Sequence, residues 1–261
     1  MKRMHRSRFT AVAITETLGR ASGLWVALAT TLICPTALKA DPIIISVTAP
    51  PSLSTCISGG QVVAASWSQS KPYTGVSIAV LVDACNGQTP TANAYLTTRI
   101  GPGTTAMDEI ARARFMVPAE LPICSPSSCG AMVTLFSGLT LGPGNYFLTL
   151  GPDAMSSGIA GWFPALNPTV VLDTGVSEGA SFITTAVASY PPASLFGVWF
   201  AMNLTVTGTA AFAGTPGTAN CHGESVSALA RQLGGLRAAA SALGFPSVEA
   251  LQDAIQAFCE G

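Results

Sequence analysis

Charge is scarce in this chain. Of its 261 residues only 10% are Asp, Glu, Lys or Arg, against roughly 25% in an ordinary soluble domain. Histidine is scarcer still, with His5 and His222 the two copies. No C-x-x-C pair accompanies them, so a zinc centre lacks its usual ligand spacing. There is no D-x-D-x-D run of the kind that cages calcium, and Gly101-Pro102-Gly103 has no following lysine and helix to hold a nucleotide phosphate. An acyl-transfer triad would have to use His222, which adjoins Cys221 and reads as a linker-end residue. What the chain does have is 49% hydrophobic residues, ample for a packed core, with many Gly, Ser, Thr and Ala between them.

The formal net charge of -1 conceals an asymmetry. Lys2, Arg3, Arg6, Arg8, Arg20 and Lys39 all fall in the first forty residues, together with one acid, Glu16. The remainder carries six basic and twelve acidic residues, a net of -6, which gives a phosphate backbone nothing to bind. The basic N-terminus followed by the apolar run Leu24 to Cys34 and closed by Ala37-Leu38-Lys39-Ala40 reads as an export signal over 1–40, cleaved after Ala40. Its apolar run is shorter than the roughly 20 residues a spanning helix needs. No later segment could span a bilayer as a helix, and the expected location is extracellular or periplasmic.

Six cysteines follow the leader: Cys56, Cys85, Cys124, Cys129, Cys221 and Cys259. Six permit fifteen pairings, and an even count in an exported chain implies disulfides. Organisation along the chain favours Cys56 with Cys85 between neighbouring strands, Cys124 with Cys129 around a small loop, and Cys221 with Cys259 bracketing a helical segment.

From Pro42 onward, short apolar or alternating runs recur about every ten residues between Gly, Pro, Asn and Ser, the pattern of an antiparallel β-sandwich of jelly-roll type. About nine or ten strands are expected over 41–212. Val76, Ile78, Val80 and Val82 alternate with Ser77, Ala79, Leu81 and Asp83, and both faces are apolar enough to predict a central strand. Met132 to Leu150 reads as two strands folded back on each other as a hairpin, with Gly142-Pro143-Gly144-Asn145 as a type II turn. Gly158 to Pro168 reads as a long connection, and Trp67 and Trp199 as core residues within strands. A linker is expected at 213–219. Beyond it the period changes to about 3.6, giving three short helices over 220–261, the last capped by Ser247 and striped by Val248, Leu251, Ile255 and Phe258.

The runs SWSQSKPYTGVSIAVLV, AYLTTRIGPGTTAMDEIA and TLFSGLTLGPGNYFLTL resemble a β-sandwich region, here spanning Ile44 to Thr209, of exported bacterial proteins of unassigned role, many of which carry a PEP-CTERM sorting signal. That signal, a terminal apolar helix with a basic tail, is not seen in this sequence. NCHGESVSALARQLGGL and GFPSVEALQDAIQAFC resemble a helical tail appended to other exported bacterial proteins. The resemblance implies a sandwich and export, and supplies no catalytic residues.

Function is expected to lie in contact rather than catalysis. Trp162 and Phe163, placed in a predicted connection, are the candidate ligand-stacking aromatics; the competing reading is a lid packed over the sandwich edge, since large aromatics usually end up buried. The favoured reading is an exported, non-enzymatic surface or matrix binding module without cofactor or metal, with carbohydrate one candidate ligand. A polysaccharide hydrolase using loop carboxylates from among Asp83, Asp108, Glu109, Glu120, Asp153, Asp173 and Glu178 is one alternative. A purely structural envelope component is another, and turn carboxylates at Asp153 or Asp173 are the places where a structural calcium would sit.

Overall fold

A computed structural model describes residues 42–58, 60–86, 89–185, 189–194 and 197–260. The expected leader lies outside the described residues. Among the described residues fourteen strands and three α-helices follow in order, besides short 3-10 helices at Ala106–Asp108 and Pro191–Ser194: β1 Ile43–Thr48, β2 Thr55–Ile57, β3 Val62–Gln69, β4 Tyr73–Ala84, β5 Thr91–Thr97, β6 Glu109–Met116, β7 Ile123–Cys124, β8 Cys129–Leu141, β9 Gly144–Pro152, β10 Ala160–Trp162, β11 Thr169–Leu172, β12 Val176–Thr184, β13 Gly197–Trp199, β14 Leu204–Ala210, then α1 Cys221–Leu233, α2 Leu236–Ala242 and α3 Val248–Glu260.

The strands form two antiparallel sheets packed face to face. One has six strands in the order β13-β12-β3-β9-β5-β6; the other has eight, with β11-β1-β14-β4-β10-β2 in sequence and β8 on β4, β7 on β8. β4 holds β14, β10 and β8 against its edges, so the expectation of a central strand is met. Its Val76, Ile78, Val80 and Val82 are fully buried between the sheets with Val63, Ala65 and Trp67 of β3 and Leu148 and Leu150 of β9.

The expected hairpin is corrected. β8 pairs with β4 in the eight-stranded sheet, whereas β9 pairs with β3 and β5 in the six-stranded sheet. Gly142-Pro143 is therefore an arch that carries the chain across the core. The arms belong to opposite sheets and do not pair with each other. Gly144 has φ 156°, far from the roughly +80° of a type II turn, and the Tyr146 hydroxyl donates to the Gly142 carbonyl at 2.6 Å to close the bend. Alternation specifies a strand with an inward face; it does not say which neighbour takes its edge.

The helices fall where the period change places them. Ser247 Oγ accepts from Ala250 N at 3.0 Å, capping α3. Leu229, Ala239, Ala240, Leu243, Leu251 and Ile255 bury a small second core together with Ala211 and Phe212 from the end of the sandwich. The predicted linker is pinned: Gly214 N donates to Ser225 Oγ at 3.1 Å and Gly217 N to the Cys259 carbonyl at 2.8 Å. Leu243 lies on the arch, where a Cβ at Gly142 would overlap its carbonyl oxygen. The described residues, 42–260, belong to one compact unit.

All three disulfides join the favoured partners, Cys56 to Cys85, Cys124 to Cys129 and Cys221 to Cys259. Three bridges point to an oxidising compartment, extracellular or periplasmic. Among the described residues no helix is long and apolar enough to cross a membrane.

Candidate functional site

Trp162 and Phe163 do not face a ligand. Both are fully buried. Gly158 to Pro168 is not a plain connection, because β10 inserts between β2 and β4 and places Trp162 opposite Thr55 and Val82. The indole of Trp162 enters the core and donates to the Asn203 carbonyl at 2.8 Å. Phe163 packs on Gly130, where a Cβ would come within 2.6 Å of its ring. Asn203 fixes this corner: its side chain accepts from Ala49 N at 2.8 Å and donates to the carbonyls of Phe163 and Pro164 at 3.3 and 3.1 Å. The ligand-stacking expectation for this pair is thus corrected to a packing role, as the competing reading held.

Trp199 is corrected in the opposite direction. It is 36% exposed, and its neighbours Val198 and Phe200 are 76% and 57% exposed. β13 is the three-residue edge strand of the six-stranded sheet, and among the described residues no further strand pairs with its outer side. The Trp199 and Phe200 rings meet edge to face, 5.2 Å between centroids at 67°, a favourable arrangement for two aromatics. Trp199 Nε1 donates to Thr55 Oγ1 at 3.3 Å, which fixes the indole at the mouth of a groove of about 490 Å³. Leu53, at 88% exposure, and Leu166 also line the groove. The sequence held a signal for this: Val198-Trp199-Phe200 is a run of three bulky apolar residues, and a strand with period two cannot turn all three inward.

A smaller polar pocket of about 300 Å³ adjoins the groove and is bordered by Asp83, the Cys56–Cys85 bridge and the hydroxyls of Ser52, Ser54, Ser127 and Ser128. Asp83 is 9% exposed and faces Gly161, where any Cβ would overlap its Oδ1. Burial pushes the Asp83 carboxyl above the ordinary range, opposed by the hydrogen bond from Ser54 Oγ at 2.9 Å.

No protein-family model, curated protein or solved structure matches the chain. Chemistry must therefore be read from its own side chains.

Most of the carboxylates considered for hydrolysis or calcium are tied to structural partners. Asp173 takes Lys71 at 2.9 Å and the Tyr73 hydroxyl at 2.8 Å. Burial works to raise its pKa, but these partners and the Thr174 N–H outweigh it and hold the group below the usual range. Asp153 is likewise lowered, first by the Thr91 hydroxyl, then by Met155 N–H and Arg114. Glu109 pairs with Arg112 at 2.8 Å and accepts from Tyr190 at 2.8 Å, with the Arg112 guanidinium 4.8 Å from the Tyr95 ring centre. Asp108 closes a capping box with Thr105. Glu178 is raised by burial, and Glu120 is exposed. Among the described residues no three His, Cys, Asp or Glu side chains gather as metal ligands. His222 is exposed on the first turn of α1 beside bridged Cys221.

Proposed function

We propose that the chain is an exported, non-catalytic binding module that attaches to a surface or matrix glycan through the groove at Trp199 and Phe200. The observation that carries this reading is the exposed aromatic pair, with its indole bonded to Thr55, in a groove that Leu53 and Leu166 also line. A pyranose ring offers a flat face of C–H groups that stacks on an indole, while its hydroxyls need polar partners at the rim. Thr55 and Gln61 are within the groove for that purpose, and Ser52 and Ser54 border it. Three disulfides and the leader-like N-terminus support export. The resemblance to exported sandwich proteins of the PEP-CTERM-associated type agrees with this reading.

The test is retention of the protein on insoluble polysaccharides, comparing wild type with Trp199→Ala. Loss of retention by a variant that remains folded is the expected result; retention that survives the substitution refutes this groove as the site.

A further inference from the structure

One wall of the groove is β2, a three-residue edge strand whose ladder partner among the described residues is β10. Successive side chains on a strand point to opposite faces of its sheet. Thr55 stands in register with the core residues Trp162 and Val82 and so points between the sheets, where its hydroxyl takes the Trp199 indole from the other sheet at 3.3 Å. Cys56 stands in register with Gly161 and Asp83 on the outer face. Its bridge to Cys85, the residue after β4, passes over β10. Gly161 lies beneath the bridge: a Cβ there would come within 2.9 Å of Cys85 Sγ and 2.6 Å of Ser54 Oγ. Ser54 Oγ in turn donates to Asp83 on that outer face at 2.9 Å. The residues before and after Thr55 are therefore both fastened outward across β10, and alternation turns Thr55 toward Trp199. These ties act through the β2 backbone and need no opening for a ligand. The other bridges lie elsewhere: Cys124–Cys129 joins β7 to β8 and Cys221–Cys259 joins α1 to α3, and none of these four cysteines lines the groove.

We infer that the Cys56–Cys85 bridge positions the Trp199 groove, so that the binding site is set when this bridge closes and is lost when it opens, with the sandwich itself intact. A three-residue strand at a sheet edge can come free while β4 keeps its ladders to β14 and β8. The bridge is thus a positioning element and makes no contact with the ligand. What the groove binds rests on the glycan reading; the placement of the indole does not.

The experiment uses a chain beginning at Asp41, whose tryptophans are Trp67, Trp162 and Trp199. Three forms are compared: unaltered, Cys56→Ser with Cys85→Ser, and Cys124→Ser with Cys129→Ser. Acrylamide quenching without ligand should rise for one tryptophan in the first double variant and stay unchanged in the second. On the polysaccharide that retains the unaltered chain, the first double variant should bind about tenfold more weakly, as for a site formed about one-tenth of the time. Where that variant fails to fold, the bridges of the unaltered chain are opened stepwise with dithiothreitol, each gaining two electrons and two protons as the reagent's two thiols close into a cyclic disulfide. Alkylation maps which bridge has opened, and quenching of one tryptophan must rise with Cys56–Cys85. Unchanged quenching in a folded chain without that bridge overturns the inference. Exposure of all three tryptophans together also overturns it, by making the bridge a staple of the whole sandwich. Failure of the unaltered chain to be retained on any polysaccharide refutes the glycan reading and leaves the quenching result to decide the positioning.

Discussion

Trp162 and Trp199 provide a sharp contrast, because the sequence makes them look alike and the structure places them in opposite environments. Trp162→Ala removes a fully buried indole from between the sheets and leaves the Asn203 carbonyl without its donor. Truncating a buried large aromatic costs about 3–5 kcal/mol, and an orphaned buried acceptor adds about 1–3 kcal/mol. Whole domains hold only about 5–15 kcal/mol, so this variant should lie near the edge of folding. In a domain of this size each kcal/mol moves Tm by about 2–4 °C, giving a drop of at least about 6 °C. Trp162→Phe keeps most of the volume and forfeits chiefly the N–H, for about 1–2 kcal/mol. Trp199→Ala loses a ring that is 36% exposed and one bond to Thr55, and should cost less than Trp162→Ala because part of the ring already meets solvent and no sealed interior cavity is left. Denaturant unfolding of the three variants beside wild type is the assay. Equal losses for Trp162→Ala and Trp199→Ala, or the reverse order, would refute the assignment of one indole to the core and the other to the surface.

Further tests address the staples, the ion pair and the docked helices. Replacing Cys221 and Cys259 by Ser opens a loop with a sequence separation of 38 and should cost about 4 kcal/mol, whereas opening Cys124–Cys129, separated by 5, should cost about 2 kcal/mol; thermal unfolding of the two double variants checks the order. Because Asp173 is held below its ordinary pKa in the folded state, its contribution is present above the unfolded carboxylate range and is lost as pH falls through the lowered folded value. Asp173→Asn should thus destabilise at neutral pH, by about 2 kcal/mol, and the difference from wild type should vanish in acid. Asp83, raised in the folded state, acts with the opposite sign: its contribution is present below the unfolded value and is lost as pH rises through the raised one. Measured at a series of pH values, Asp83→Asn should therefore compare more favourably with wild type at neutral than at acid pH. Gly142→Ala should cost about 1–3 kcal/mol by overpacking against the Leu243 carbonyl, visible as faster proteolysis near residues 213–219; an unchanged digestion rate would contradict the docking.

The sheets, helices and bridges were legible because each has a local cause. Period two over Val76 to Asp83, period 3.6 with Ser247 as cap, and six cysteines at element ends all act over a few residues. The arch at Gly142-Pro143 was not legible, since the same alternating residues serve a strand paired within one sheet or one crossing to the other. Strand number was underestimated because β2, β7, β10 and β13 have only two or three residues, too few for a period to show. The aromatics were exchanged for the same reason. A three-residue strand buried Trp162, while a strand at the sheet edge exposed Trp199. Burial depends on what covers a strand, and that is decided by residues remote in sequence: Gly130 for Phe163 and Asn203 for Trp162.

The chain has four tryptophans: Trp25 in the expected leader, Trp67 and Trp162 in the core, and Trp199 at the groove. Acrylamide quenching of a chain beginning at Asp41, with and without a saturating soluble oligosaccharide of the polysaccharide that retains it, therefore reports on Trp199 against a shielded background. Contact through the groove requires that the quenchable component disappear when ligand saturates. A ligand bound by calorimetry that leaves that component unchanged would place recognition elsewhere on the molecule.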